Sequence, residues 1–525
     1  MKRLSITLIS VMVLVCSPGL TGQENTSDPV ESITEAEMRD HIFFLASDYL
    51  AGRAAPTAEY EIAAQYAATQ FASGGLEPMV GDKGNLNGYF QEVPYKKLVF
   101  DKETSWVLQT KGGSQEFSHL KDYKVLEMGF IPEEPMEVVF IGYGIHEPDY
   151  GWDDYEKVDV EGKLVILMSG APVKEGEPLL PDSIHQQYAS MMGLQKKAMT
   201  LFRQKPSAVI LVLDPQTKAF LNFEQFPSQF KTEFYQYQGS DDEQGDMRIP
   251  MIYLVNDSLM NVLFTGEKTS PALVEEKGIG KYKTFQLKDL TVDTRLKVLE
   301  ETDMVLKNVV AVVRGTDPEL NNEYITVGAH LDHVTHPTGQ VANGADDNAS
   351  GSAGVLEIAE AVAQDPPRRS VVFVTYTAEE MGLQGSHYFV NSGPLDIGDI
   401  KFNVNLDMIG RTTQENQESG SHYILGNERY AAKLTPFIEE INKASVNLPL
   451  IYDFDHAYAG SSDHASYSER GIPSFFFFSG DHRDLHQPGD DPEKIEYAKA
   501  VKISRLAYLI TMELANMDEV PDFLE

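Results

Sequence analysis

Cysteine is nearly absent. The 525-residue chain has one, Cys16. An internal disulfide framework is therefore excluded, and cohesion must come from the size of the core and from any bound metal. Positive charge is scarce as well, with 43 Lys and Arg against 80 Asp and Glu and a formal net charge of -37. That balance argues against nucleic acid or an anionic membrane as partner, and its plainest reading is solubility. Long apolar runs are missing too. Ile6 to Val15 form an apolar stretch behind Lys2 and Arg3, but it is too short to span a bilayer. A charged start followed by such a stretch reads as an export signal over residues 1–22, cleaved between Gly19 and Gln23. The expected location is periplasmic or extracellular. Cys16 raises the question of lipid anchoring, although Val15 is bulkier than the small residue expected before a lipidated cysteine. No other segment is apolar enough to cross a membrane. There is no internal repeat and no low-complexity tract.

The length suggests roughly two to four domains. Residues 34–76 carry a helical pattern: Thr34-Glu-Ala-Glu37 resembles a capping box, and Ile62, Ala63, Tyr66, Ala67 and Phe71 recur at helical spacing. Residues 131–256 have a different texture and read as a self-contained β-rich unit. Strands are expected at Val138–Gly144, Lys163–Met168, Ala208–Leu213 and Pro250–Val255, a helix at Leu194–Arg203, and an acidic, aromatic-rich loop at Phe220–Asp246. From Lys307 the rhythm becomes alternating strand and helix. Strands are expected at Asn308–Val313, Tyr324–Ala329, Ser370–Tyr376, Phe402–Leu406 and Pro473–Ser479, with helices at Ser352–Ala363, Leu383–Asn391, Tyr430–Ala444 and Tyr497–Met512. This alternation implies an α/β fold whose mostly parallel mixed sheet has helices on both faces.

Acidic and imidazole residues gather at the carboxyl ends of those strands, the edge where open α/β sheets bind ligands. His330 and Asp332 follow one strand, Glu379 and Glu380 another, and Asp407 ends a third. His486 lies in the loop after the last strand. Each has a bland alternative. Asp347 precedes a helix and could act as its cap, although Asp346 or Asn348 could fill that role. Glu379 and Glu380 could be a solvated acidic loop, but adjacent carboxylates in a buried turn call for a cation. Asp407 interrupts an apolar strand end and needs a partner. An isolated histidine before Pro and Gly, as at His486, is usually a surface residue. Such a set suits a two-metal hydrolase, in which a pair of ions about 3.5–4 Å apart makes water nucleophilic at neutral pH.

The segments Gly328-Ala-His-Leu-Asp332, Gly344-Ala-Asp-Asp-Asn-Ala-Ser-Gly351, Ala378-Glu-Glu-Met-Gly382 and Asn405-Leu-Asp-Met408 resemble the co-catalytic zinc aminopeptidase family, and Leu485-His-Gln-Pro-Gly-Asp490 extends the match. That family includes secreted bacterial aminopeptidases, glutamate carboxypeptidase II, transferrin receptor ectodomains and glutaminyl cyclases. The resemblance implies two zinc ions per chain. His330, Asp347 and Asp407 would serve one; Asp347, Glu380 and His486 would serve the other, with Asp347 bridging. Glu379 would be the general base and Asp332 would orient His330. His464, in Ser461-Ser-Asp-His-Ala-Ser-Tyr467, would be a substrate-side or oxyanion-side donor, or a structural residue. His333 and His336 are left as loop or supporting residues, and Asp490 is expected to hydrogen-bond near His486.

The implied organisation is a signal peptide at 1–22, the N-terminal part of the peptidase domain at 23–130, a protease-associated-like insert at 131–256 and the rest of the zinc peptidase domain at 257–525. The expected activity is a secreted aminopeptidase acting on peptide or protein N-termini. The alternatives are a carboxypeptidase for acidic C-terminal residues, for which Arg411 is a single candidate arginine; a glutaminyl cyclase with one zinc; and a non-catalytic binding ectodomain.

Overall fold

The computed structural model describes residues 28–524 apart from 102, 128, 190, 221–222, 224–232, 240–249, 278–282, 337–338, 414–421 and 455–459. The export-signal reading of residues 1–22, with Cys16, lies outside the described residues, as does most of the loop between Phe220 and Asp246. The main sheet is ten-stranded among the described residues. We number its longer strands β1 (Phe90–Phe100), β2 (Glu233–Tyr237), β3 (Val298–Val313), β4 (Tyr324–His330), β5 (Ser370–Tyr376), β6 (Ile400–Leu406), β7 (His422–Gly426), β8 (Leu450–Asp453) and β9 (Ser474–Phe478). Their order is β2-β1-β3-β5-β4-β6-β9-β7-β8. The sheet is mixed. Parallel pairing is confined to the central β5-β4-β6-β9 run and the β7-β8 pair, and the other pairings are antiparallel.

Side chains alternate across the central strands, and each face is covered. Val309, Ala311, Val327, Phe373 and Val404 pack against α1 (Glu35–Leu45), α2 (Ala58–Ser73), α3 (Gly351–Gln364), α5 (Glu428–Ala444) and α6 (Tyr497–Asn516). Val310, Val312, Val372, Val374 and Tyr376 meet α4 (Gln384–Ser392) and the short helix His464–Ser468 on the other face. This is why the central strands read as continuous apolar runs. The helical stretch expected over 34–76 is two helices, α1 and α2, with an intervening turn. Thr34 caps α1 by accepting from the Glu37 backbone N–H at 3.3 Å, and its hydroxyl donates to the Glu37 carboxylate at 2.7 Å.

A second sheet, eight-stranded among the described residues, runs from Ser105–Thr110 to Phe285–Arg295 in sequence, a wider span than 131–256. Its four central strands, Met136–Phe140, Leu164–Met168, Ala208–Val212 and Met251–Val255, are parallel neighbours. Their alternate residues feed two apolar clusters, one containing Val138, Ile166 and Ile210 and the other Val139, Val165 and Val209. The two sheets are joined through β2, which arises between strands of the second sheet yet pairs with β1 of the first, Tyr237 opposite Tyr95.

The turn between α1 and α2 holds the far loops in place through Arg53, which is wholly buried. Its Nε donates to the carbonyl of Leu331 at 2.7 Å. Its Nη1 reaches those of Asn343 and Leu45 at 2.6 and 3.0 Å, and its Nη2 those of Gly344 and Asp347 at 2.7 and 3.3 Å. Burial lowers the guanidinium pKa to about 10, opposed by Asp347, Asp490, Asp332 and Glu380. Gly52 permits this approach: its φ is +85°, and a Cβ there would lie 2.7 Å from the carbonyl oxygens of Ala342 and Val334. Replacing Arg53 by Met would orphan buried carbonyls and remove a buried charge. Arg53→Met is expected to cost about 3–5 kcal/mol in denaturant unfolding, with Arg53→Lys in between. An unchanged unfolding midpoint in Arg53→Met would refute this role.

Candidate metal centre

The strands β4, β5, β6 and β9 point the same way, so their carboxyl ends share one edge. His330 is the last residue of β4. Glu379 and Glu380 follow β5, Asp407 follows β6, and His486 lies in the loop after β9. Asp347 enters from the loop between β4 and α3. It has non-helical backbone angles, φ -102° and ψ 96°. The capping role falls to Asn348, whose side-chain oxygen accepts from Gly351 N–H at 2.9 Å and Met408 N–H at 3.2 Å while its amide donates to Leu406 O at 3.0 Å. Asp347 is thereby left free to face the imidazoles. Asp490 accepts from the backbone N–H groups of Asp346 and Asp347, both within 3.1 Å. It therefore supports the Asp347 loop, where the sequence suggested a bond near His486.

Two clusters form around Asp347. In the first, His330 Nε2 lies 3.4 Å from Asp347 Oδ1 and 3.3 Å from Asp407 Oδ1. In the second, His486 Nε2 lies 3.1 Å from Asp347 Oδ2 and 3.2 Å from Glu380 Oε2. His333 joins the second cluster, with Nδ1 3.0 Å from Glu380 Oε1. Both groups present ligand-type atoms that lie within 4.8 Å of one another and could hold a metal. Sequence reasoning placed every member except His333. The signal available for it was weak, an imidazole three residues beyond His330 in an apolar context. The donor set of imidazole nitrogen and carboxylate oxygen suits zinc.

His330 is fixed through its backbone side. Its Nδ1 donates to the carbonyl of Asp332 at 3.1 Å, which presents Nε2 to the cluster. The Asp332 carboxylate, expected to orient that ring, instead accepts from the Glu379 backbone N–H at 3.1 Å. Asp332 thus places both residues, one through its main chain and one through its side chain. Glu379 Oε2 is 3.9 Å from His330 Nε2.

The carboxylates differ in their affinity for protons. Burial raises Glu379 well above its ordinary value, opposed by His330 and reinforced by Glu380. Burial acts upward on Glu380 as well, but His486 and His333 overcome it and hold that group well below the usual range. Asp332 and Asp463 are pushed up to about 7 by burial, each partly relieved by His330. Asp463, wholly buried and within the field of His330 and Asp407, was not singled out from the sequence. Burial lowers His330 and His486, but the facing carboxylates raise both well above the ordinary imidazole value.

Three further residues named from the sequence belong to neither cluster. The His464 ring has no exposed surface and stacks on Phe476 with centroids 4.4 Å apart, surroundings that suit the structural reading of this residue. Arg411 pairs with Asp484 at 3.2 Å and lies 3.7 Å from Asp490. His336 Nε2 is 3.3 Å from Gln487 Oε1.

Residues 308–511 match the model of Peptidase family M28. Leucine aminopeptidase 2 of Trichophyton rubrum is 31% identical over 179 residues, covering 33% of this chain and 33% of that protein. Aminopeptidase YwaD of Bacillus subtilis is 27% identical over 303 residues, covering 55% of this chain and 61% of that protein. The chain therefore spans from a third to under two thirds of the length of these relatives. The solved aminopeptidase from Aneurinibacillus sp. strain AM-1 aligns over 94% of this chain and 97% of its own, with a TM-score of 0.52 and 19% identity, a likeness of fold. The segment that supplies both clusters, residues 308–511, is a Peptidase family M28 domain.

Proposed function

We propose that this chain is an exported zinc-dependent exopeptidase, an aminopeptidase that releases N-terminal residues from peptides. The observation that carries the reading is the pair of clusters sharing Asp347: His330 with Asp407 on one side, Glu380 with His486 on the other. These residues would hold two zinc ions, which supply Lewis acidity for amide hydrolysis when bound. Glu379 is close to both clusters and is held at a raised pKa by burial. Such a carboxylate suits a general base that takes a proton from the attacking water and returns it to the leaving amine. The same acidic surroundings favour a free α-ammonium group on the substrate, which fits an N-terminal specificity.

Arg411 is committed to Asp484 and Asp490, which weakens the carboxypeptidase alternative, since acidic C-terminal residues would need a free arginine. Retention of both clusters weakens the single-zinc cyclase and the non-catalytic ectodomain. The second sheet, with residues 131–256 at its centre, we read as a protease-associated-like module that limits access to the site. Residues 1–22 we read as the export signal. No helix among the described residues is long and apolar enough to cross a membrane.

Purified protein is expected to cleave aminoacyl chromogenic amides with a free amine and to leave their N-acetylated forms intact. Chelation should abolish the activity, and zinc should restore it. Cleavage of N-acetylated dipeptides would transfer the assignment to a carboxypeptidase.

Glu379→Gln should lower kcat by about 100- to 10,000-fold with zinc content unchanged. Equal loss of zinc and activity would instead make Glu379 a ligand.

Metal removal should also create a pH dependence of stability. Asp332 and Asp463 hold protons in the folded chain up to about pH 7, against an ordinary value of 3.8, so their contribution declines as pH rises through that window. His330 and His486, raised in the folded state, add stability below about pH 6.5 that is lost as pH climbs through their folded values. Both effects have the same sign. The Tm of metal-free protein should fall between about pH 5 and about pH 8, while that of zinc-loaded protein should not. Parallel profiles with and without zinc would contradict the account.

A further inference from the structure

His333 stands apart from an ordinary loop histidine. Its side chain has no exposed surface. Its Nδ1 lies 3.0 Å from Glu380 Oε1 and 3.5 Å from Asp347 Oδ2. These are the same two carboxylates that His486 Nε2 approaches at 3.2 and 3.1 Å. The two imidazole rings are 5.6 Å apart and inclined at 68°, so their nitrogens converge on the carboxylates from different directions. The four side chains His333, Asp347, Glu380 and His486 offer donor atoms that all lie within 4.8 Å of each other.

The ring is also held in place. Gly344 packs against it: a Cβ there would lie 2.5 Å from His333 Cγ, and Gly344 has a φ of +58°. The loop that carries Asp347 therefore clamps the imidazole from behind. Among the described residues Nε2 has no hydrogen-bond partner. The polar contacts of the ring are thus with Glu380 and Asp347, through Nδ1.

We propose that His333 Nδ1 is a fourth protein ligand for the metal held by Asp347, Glu380 and His486. This rests on the metallopeptidase reading above. It makes the metal pair unequal. A site with four protein ligands is closed, as in structural zinc sites, whereas a site with three keeps an exchangeable position. The His333 site retains its ion, and the His330–Asp347–Asp407 site is the one that exchanges. Zinc should then leave in two steps under graded chelation, the three-ligand site emptying first. Loss of a hydrogen-bonding neighbour of a metal ligand costs about 10–100-fold in metal affinity, and loss of a ligand should weaken the retained ion by at least that much.

Counting imidazoles separates a ligand from a hydrogen-bonding neighbour. Full-length wild-type protein would be loaded with one equivalent of zinc and examined by X-ray absorption at the zinc edge. Two imidazoles per ion are expected, from His333 and His486; one imidazole overturns the proposal. In parallel, cobalt(II)-loaded wild type and His333→Phe would be compared by proton NMR. Each ligating imidazole can contribute one strongly shifted exchangeable N–H signal, and the variant should lack one that the wild type shows. An identical set of signals in two proteins that both bind cobalt overturns the proposal while leaving the metallopeptidase reading intact. Failure of the wild type to take up zinc or cobalt overturns both. The wild-type absorption measurement decides the matter even where His333→Phe does not fold.

Discussion

Burying many carboxylates at one sheet edge is the constraint from which the rest of this structure follows. Asp332, Asp346, Asp347, Asp407, Asp463 and Asp490 are all buried, and Glu380 nearly so. Like charges in a medium of low polarity repel strongly, and an uncompensated buried carboxylate is expensive. Such a cluster persists only where cations or proton donors face it. Here they are His330, His333, His486 and His482 on the site side, and Arg53 behind it. Charge compensation in the metal-free chain thus comes in part from His330, His482 and His486, whose facing carboxylates make them hold their protons more tightly than a free imidazole. A bound divalent pair would take over that role and release those protons, which couples metal, protonation and stability.

The fold solves the placement problem by division of labour. Parallel strands bring successive carboxyl ends to one edge. The loops that leave them are fixed from elsewhere, since a loop cannot hold itself rigid. Arg53 reaches from the turn between the first two helices to the carbonyls of Leu331, Asn343, Gly344 and Asp347. Asp490 holds the Asp346–Asp347 amides from the other side. Asn348 ties that same loop to the end of β6. The second sheet reaches the region through β2 and β1. Tyr95 hydrogen-bonds Gln384 at the start of α4, just beyond the glutamate turn, and Tyr237 lies edge-on to Tyr388.

The legibility of these features in the sequence follows their locality. The central strands are buried on both faces, so their apolar runs marked them within a residue or two, and Ser370–Tyr376 matches end to end. The motif residues were readable because carboxylates at apolar strand ends are anomalous. The first half of β3, from Val298 to Lys307, was not read as strand, because its exposed, charged residues mask a pairing with β1 that only the tertiary fold supplies. The exposed edge strand Gly113–Ser118 and its neighbour Ser105–Thr110 were also missed, and with them the full extent of the second sheet. Arg53 carried no local signal, since its partners lie some 280 residues away. His333 reads from the sequence as a loop or supporting residue because the resemblance does not call for it; its place in the cluster depends on how the turn after β4 swings the ring toward Glu380.

Adjacent glutamates illustrate how backbone shape becomes chemistry. Glu379 and Glu380 are neighbours on a tight turn bounded by residues with positive φ: Ala378 at 53°, Gly382 at 97° and Leu383 at 60°. The Glu379 carbonyl accepts from the N–H groups of both Gly382 and Leu383, at 2.8 and 2.9 Å, which closes the turn. Its N–H is held by Asp332. With the backbone pinned at both ends, the two side chains diverge into different surroundings. Glu380 meets two imidazoles and stays ionised. Glu379 meets one at 3.9 Å and is otherwise enclosed, so it holds a proton more readily. Two chemically identical groups, one residue apart, are thereby pushed to opposite sides of their ordinary value, and this separation supports the roles proposed for them, a cation ligand for Glu380 and a proton carrier for Glu379. A solvated acidic loop would leave them equivalent. The difference comes from the turn and from burial, and both are already implicit in a glycine placed two residues after a pair of acids at the end of an apolar strand.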